Sequence, residues 1–255
     1  SFLVGSAEDG KAVIIEKTPD SMAVYDPQRN YIICANHFQS KGLGKLPSNL
    51  RQISESASAY RYQRLQQLLD STGQNTVERT IAILRDRKGL NGEDIGLGNE
   101  KALNQLIAHH SIVFEPKKGL VWVSTAPWQL GKFVCYDLNK VFSLAGMNTD
   151  REIVDSSLNV PADPFLETPA YQSFLRFHRY KEILRDGGRV NPDSLIESNP
   201  QFYQAYELAG NIWFNQKKYA EAAHCYELAL SKVIATKGEE NDIRRRLEKA
   251  KEKMK

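Results

Sequence analysis

With 255 residues, 41% of them hydrophobic and 25% charged, the chain has the composition of an ordinary soluble globular protein, long enough for one large domain or for a domain with an appendage. Its formal charge of +3 is spread along the sequence, and the one dense run, Lys237 to Lys255, alternates in sign as a solvated helix face does, which argues against a nucleic-acid arm. No apolar run approaches the ~20 residues of a membrane span and no signal peptide opens the chain, although the absence of an initial Met leaves its compartment open, export of a longer precursor included.

Strands are expected first. Phe2-Leu3-Val4 and Ala12-Val13-Ile14-Ile15 flank Glu8-Asp9-Gly10-Lys11, whose Asp-Gly pair is a strong hairpin turn. Met22 to Tyr25 and Tyr31 to Ala35 read as a second pair, joined through Asp26-Pro27-Gln28-Arg29-Asn30. Residues 39–50, with Gly42, Gly44 and Pro47, read as a surface loop. Helical spacing then predicts one helix from about Ser54 to Leu69 and another from about Thr76 to Arg85, followed by a Gly/Asn-rich loop from Lys88 to Asn99. Strands return at Ile112-Val113-Phe114, Leu120 to Val123 and Phe133 to Tyr136. Antiparallel strands with helices inserted between them predict an α+β fold.

After Phe142 the chain becomes loop-like, and Pro161, Pro164 and Pro169 mark a linker over 143–169 between a part spanning 1–142 and a helical extension over 170–255. Residues 200–230 match the tetratricopeptide pattern: Pro200, then Tyr206 and Gly210 on one helix, then Tyr219, Ala222, Tyr226 and Ala229 on the next. One such repeat cannot bury its own faces, so the helix around Ala170 to Leu184 and the charged helix from about Glu239 are expected to pack on it. A protein partner at this extension is a less favoured use of the same surface.

Three polar punctuation marks interrupt the apolar elements. Asn36-His37 ends the apolar run 31–35, Arg61-Tyr62-Gln63-Arg64 opens a helix, and His109-His110 precedes a strand. Together they suggest one shared site, since unpaired amides and imidazoles are costly among apolar residues. Consecutive strand residues point to opposite faces, so His109 and His110 do not form a metal site, and no metal or cofactor is expected. The three cysteines, Cys34, Cys135 and Cys225, are too scattered for a disulfide framework or a zinc site, and each reads as a small buried hydrophobe. No Gly-rich phosphate loop follows a strand.

Four segments in order, Ser1-Phe2-Leu3-Val4-Gly5 with Asp9-Gly10 and Glu16, Asn36-His37, Arg61 to Arg64 with Leu68-Leu69-Asp70, and Ser111 to Glu115, make residues 1–142 resemble the C-terminal half of the acyl-coenzyme A:isopenicillin N acyltransferase family. That family is related to penicillin V acylase and the choloylglycine hydrolases of the N-terminal nucleophile superfamily. The resemblance implies an αββα sandwich and autoproteolysis of a precursor that exposes an N-terminal Cys. That Cys attacks an amide or thioester carbonyl with its own α-amino group as base. In the family the Cys lies well upstream of the segment that begins here, so the resemblance makes this chain a fragment or one subunit. Its partner would be the upstream Cys-bearing segment, and its substrate a small acyl amide or acyl thioester.

Residue by residue, the resemblance puts the oxyanion donor on Asn36 and leaves His37 as an orienter of the site. Arg61 and Arg64 are either ion-pair partners within the fold or groups near a substrate carboxylate. His110 either reaches the mouth of the site or bonds within the sheet layer, and tandem His here departs from the small or apolar residues of the family. Two rival readings stand beside this one. Ser1 can itself be the nucleophile of a related hydrolase, or the chain is a non-catalytic interaction module.

Overall fold

The computed structural model describes residues 1–71, 73–143 and 153–255. They form two compact units, one built from Ser1–Ile53, Ser58–Asp86 and Leu106–Pro164, the other from Ser54–Ala57, Arg87–Gln105 and Phe165–Lys255. Small antiparallel sheets and helices are combined, as an α+β chain requires.

In the first unit, strands β1 (Phe2–Gly5), β2 (Ala12–Lys17) and β3 (Met22–Tyr25) form one antiparallel sheet with β2 in the centre. Phe2 lies opposite Ile15 and Ile15 opposite Val24. The β1–β2 turn closes where Asp-Gly predicts it, with Gly10 at φ +64° and its N–H donating to the Ser6 carbonyl. Alternation along β2 buries Ile14 and Glu16 on one face, so a carboxylate sits where the pattern calls for an apolar residue.

A second antiparallel sheet, β4 (Ile112–Glu115), β5 (Leu120–Ser124) and β6 (Phe133–Asp137), packs its inner residues Val113, Trp122, Phe133 and Cys135 against Ile81 of α3 (Val77–Leu84). The amphipathic spacing of α3 is what presents Ile81 together with Val77 and Leu84. Just beyond α3, Arg85 donates from Nη2 to the carbonyls of Gly131 at 2.7 Å and Pro161 at 2.9 Å, tying three chain segments together.

Several expectations are corrected. Tyr31 to Ala35 is irregular rather than a strand, because it has no ladder partner among the described residues, and the Gln39 side chain takes the Ile33 carbonyl instead. The helix expected over 54–69 is α2 (Ser58–Asp70), which starts a turn later than expected, and a separate helix, α1 (Pro47–Glu55), begins inside the predicted loop with Pro47 at its start, where a missing N–H costs nothing. Of the linker expected over 143–169, residues 144–152 lie outside the described residues. Beyond them Val154 and Val160 bridge Tyr136 and Phe133 of β6, which α4 (Leu138–Ser143) follows.

The second unit carries α5 (Pro169–Arg185), α6 (Pro192–Ser198), α7 (Tyr203–Asn215), α8 (Tyr219–Leu230) and α9 (Lys237–Lys253). Phe177, Leu195, Tyr203, Ala209, Ala222, Tyr226, Ala229 and Ile243 meet in one core. Gly210 lets α7 and α8 close up, since a Cβ there would stand 2.6 Å from the Tyr226 ring. Helix α9 starts with a capping box, in which Thr236 and Glu239 satisfy each other's backbone N–H. The Gly/Asn-rich segment 87–105 belongs to this unit. Gly96, at φ +82°, brings its backbone so close that a Cβ would stand 2.4 Å from Phe202 Cα, and Asn199 both donates to and accepts from Leu97.

Candidate active site

A cavity of about 600 Å³ in the first unit is lined by Ser1, by Cys34 to Phe38, and by Ser48, Asn49 and Gln52 of α1. The segment that lines it has no regular structure of its own, so side chains hold it in place. Glu16, fully buried on β2, accepts from the backbone N–H of Gln39 at 2.5 Å and of Ser40 at 3.1 Å. Asn49, buried in the first turn of α1, accepts from Phe38 N–H at 2.7 Å and donates to the carbonyls of Phe38 and Gly44, each at 3.0 Å. A carboxylate and an amide thus clamp residues 38–40 on both sides. Charge-assisted bonds to backbone N–H groups are the stronger kind.

Helix α2 supplies the rest. Ser58 and Arg61 stand one turn apart and therefore on one helix face. Ser58 Oγ is 2.8 Å from His37 Nδ1, and Arg61 Nη2 donates to Asn36 Oδ1 at 2.5 Å. A guanidinium can only donate, so this contact fixes which end of the amide faces α2. The Nδ2 amino group of Asn36 is thereby turned away, a two-proton donor on the cavity wall with no partner among the described residues.

His37 is half-buried and leans on the Tyr62 ring at 5.6 Å between centroids. Desolvation holds its pKa below the ordinary 6.5, with Glu16 pulling the other way and Arg61 adding to the decrease. The imidazole is therefore neutral at neutral pH and serves as an uncharged link to Ser58.

The residues singled out from sequence separate here. Asn36, His37 and Arg61 come together. Arg64 does not join them: it points into the fold, where Nε and Nη2 meet both carboxylate oxygens of Asp86 at 2.8 and 2.9 Å, with the side chains only 10% and 14% exposed. This geometry matches the ion-pair alternative for Arg64, and the bond to Asp86 raises its already high pKa. His109 and His110 are exposed, and neither lines the cavity of Asn36 and His37.

Cys34 corrects the sequence reading, which takes all three cysteines as buried: Cys135 and Cys225 are, whereas Cys34 is exposed at this cavity. Desolvation still pushes its thiol pKa up, the opposite of what a nucleophilic thiolate needs. Ser58 and Asn49 are the site-building residues that sequence reasoning missed. Glu16 entered it only as one of the residues that carry the resemblance, with no role assigned, although a charged residue in phase with Ile14 on the buried face of a strand is a signal of its own.

Residues 1–126 match the family model of acyl-coenzyme A:6-aminopenicillanic acid acyl-transferase. The match spans the cavity, the Asn36-His37 pair and α2, and ends after β5, just short of half of the 255-residue chain. It is consistent with the resemblance read from the motifs, and at a coarse level it suggests acyl-transfer or hydrolytic chemistry. No curated protein and no solved structure matches the chain. Among the described residues no helix is long and apolar enough to cross a membrane, and no cluster of His, Cys, Asp and Glu stands ready to hold a metal ion.

Proposed function

We propose that residues 1–142 are the C-terminal portion of an N-terminal nucleophile amidohydrolase or acyltransferase, whose nucleophilic Cys lies on an upstream segment of the same precursor. One observation carries the reading: Arg61 holds the Asn36 amide by its oxygen and leaves Nδ2 on the cavity wall as a donor. A donor fixed before reaction is what stabilises a tetrahedral oxyanion, because no reorganisation is needed as charge develops. The substrate class is an acyl amide or acyl thioester. The half-sandwich also accounts for the apolar surface of the first sheet, where β1 is exposed along its whole length and Phe2 and Val24 stand 63% and 61% exposed. An exposed apolar edge presents unpaired backbone groups and side chains that a neighbouring strand can cover. The α7–α8 hairpin is read as a single tetratricopeptide-like repeat, with α9 packed on it as a cap.

The test is made on natively purified protein, by intact mass and N-terminal sequencing of every polypeptide, followed by turnover of acyl amides and thioesters. A companion polypeptide beginning with Cys is expected. In that assembly Asn36→Ala should lower kcat by about 10²- to 10³-fold with the fold intact, the usual loss for one oxyanion donor. An unchanged rate overturns the assignment. A second reading has its own support, because Ser1 lines the same cavity. If Ser1 is the nucleophile, Ser1→Ala abolishes turnover without any Cys-bearing companion.

A further inference from the structure

The first unit contains a second chamber, about 250 Å³, walled by Tyr25 of β3, by Arg29, Tyr31 and Gln39 of the segment that follows, and by Tyr62 and Gln66 of α2. It shares no lining residue with the cavity of Asn36. Its volume lies below the roughly 300–1,000 Å³ of pockets that enclose drug-sized ligands, so its occupant is small.

Arg29 is the only charged residue among those that line it. Its guanidinium is held from behind by a relay. Tyr31 Oη donates to Asp70 Oδ1 at 2.6 Å, and the same phenol oxygen accepts from Arg29, which opposes the rise that Asp70 gives to the Tyr31 pKa. A guanidinium carries five N–H donors, so one bond to Tyr31 leaves the others for a ligand. No hydrogen bond occupies the Tyr25 hydroxyl, the Tyr62 hydroxyl or the Gln66 amide among the described residues. Burial raises the Tyr62 pKa, with Tyr25 and Tyr31 adding to the rise and Arg29 opposing it, so these four polar groups lie within one another's field and the phenol keeps its proton at neutral pH. Gln39 differs from the rest. Its Nε2 donates to the Ile33 carbonyl at 2.7 Å, which fixes the amide and leaves Oε1 as an acceptor with no partner among the described residues.

One cation, two phenols and an amide that can donate, and one fixed acceptor therefore surround a small space. From this arrangement we propose that the chamber binds inorganic phosphate. The phosphate oxygens accept from Arg29, Tyr25, Tyr62 and Gln66, and the P–OH that phosphate keeps at neutral pH donates to Gln39 Oε1. Sulfate has the same shape but no proton to give, and acetate has only two oxygens for four donors. This binding does not depend on the acyl chemistry of the neighbouring cavity.

The full 255-residue chain, labelled with ¹⁵N, is titrated at pH 7 with sodium phosphate, sodium sulfate and sodium acetate, with sodium chloride holding the ionic strength constant, while the side-chain NH₂ resonances of Gln39 and Gln66 are followed. Saturable shifts are expected with phosphate, at lower concentration than with sulfate or acetate. Arg29→Gln should weaken phosphate binding about tenfold, the size of one hydrogen bond to a charged group, and Tyr25→Phe, which removes only a hydroxyl, about fivefold. Arg29 is exposed and the phenylalanine keeps the ring, so an unchanged backbone spectrum verifies the fold of both variants. Shifts that do not saturate, sulfate or acetate binding as tightly as phosphate, or affinity unchanged in both variants overturns the proposal.

Discussion

Arg64→Ala should destabilise the first unit by about 3 kcal/mol. The figure follows from the geometry of the pair: two N–H···O bonds at 2.8 and 2.9 Å join side chains that are 10% and 14% exposed. Removing one member of a buried pair costs about 3–5 kcal/mol, chiefly because the other charge is left desolvated and alone. Residual exposure lets water reach the orphaned Asp86 carboxylate, which places the loss at the lower end. Trp122 and Trp128 report on the first unit and Trp213 on the second, so a Trp213→Phe background restricts the fluorescence to the unit being tested. With a urea slope of about 2 kcal/mol/M, the midpoint should fall by about 1.5 M. The double substitution Arg64→Leu with Asp86→Leu should recover most of the loss, because no charge then remains buried. A loss below about 1 kcal/mol would refute the argument. Unaltered stability together with weaker acyl-substrate binding would return Arg64 to the substrate.

His37 sets a pH dependence whose sign follows from its lowered pKa. The neutral ring contributes stability that is present above its ordinary value of 6.5 and is lost as pH falls through the lower folded-state value. Urea midpoints followed from pH 7.5 downward in the Trp213→Phe background should therefore decline on acidification, and His37→Gln should flatten that decline. Gly96→Ala should destabilise the helical unit by more than the about 1 kcal/mol that an ordinary Gly-to-Ala exchange involves. The new Cβ would meet the Phe202 backbone at 2.4 Å and the residue would keep φ +82°. Circular dichroism during thermal unfolding measures it, and an unchanged transition would mean that segment 87–105 does not pack as described.

Local chemistry made some elements legible. Asp9-Gly10 carries its own turn geometry, and the 3.6-residue spacing of Val77, Ile81 and Leu84 declares a helix whatever lies beside it. Elements decided by their surroundings were not legible. The run Tyr31-Ile32-Ile33-Cys34-Ala35 has strand composition, yet a strand exists only where a neighbour completes its hydrogen bonds, and none is present among the described residues. The polar segment 87–105 has the composition of a surface loop, yet Asn99 is fully buried, donating to the carbonyls of Ile95 and Val233. A buried amide whose partner is 134 residues away leaves no periodic trace.

The candidate site was half legible for the same reason. Asn36-His37 stood out because two polar residues follow an apolar run, but nothing adjacent in sequence says what holds them. The answer lies 21 and 25 residues further on, at Ser58 and Arg61. Residues one helical turn apart are separated by about 5 Å, close to the 3.8 Å between consecutive Cα atoms of an extended chain. One face of α2 can therefore grip two successive loop residues at once, the imidazole through a hydroxyl and the amide through a guanidinium. The two contacts differ in kind for a chemical reason. A hydroxyl both donates and accepts, and so tolerates either tautomer of His37, whereas a guanidinium only donates and admits the Asn36 amide in a single orientation. The spacing Ser-x-x-Arg on a helix thus fixes the direction in which an amide donor two dozen residues upstream presents its protons. Glu16 and Asn49 then hold the backbone that follows, so the Asn36-His37 pair is followed by a segment anchored on both sides.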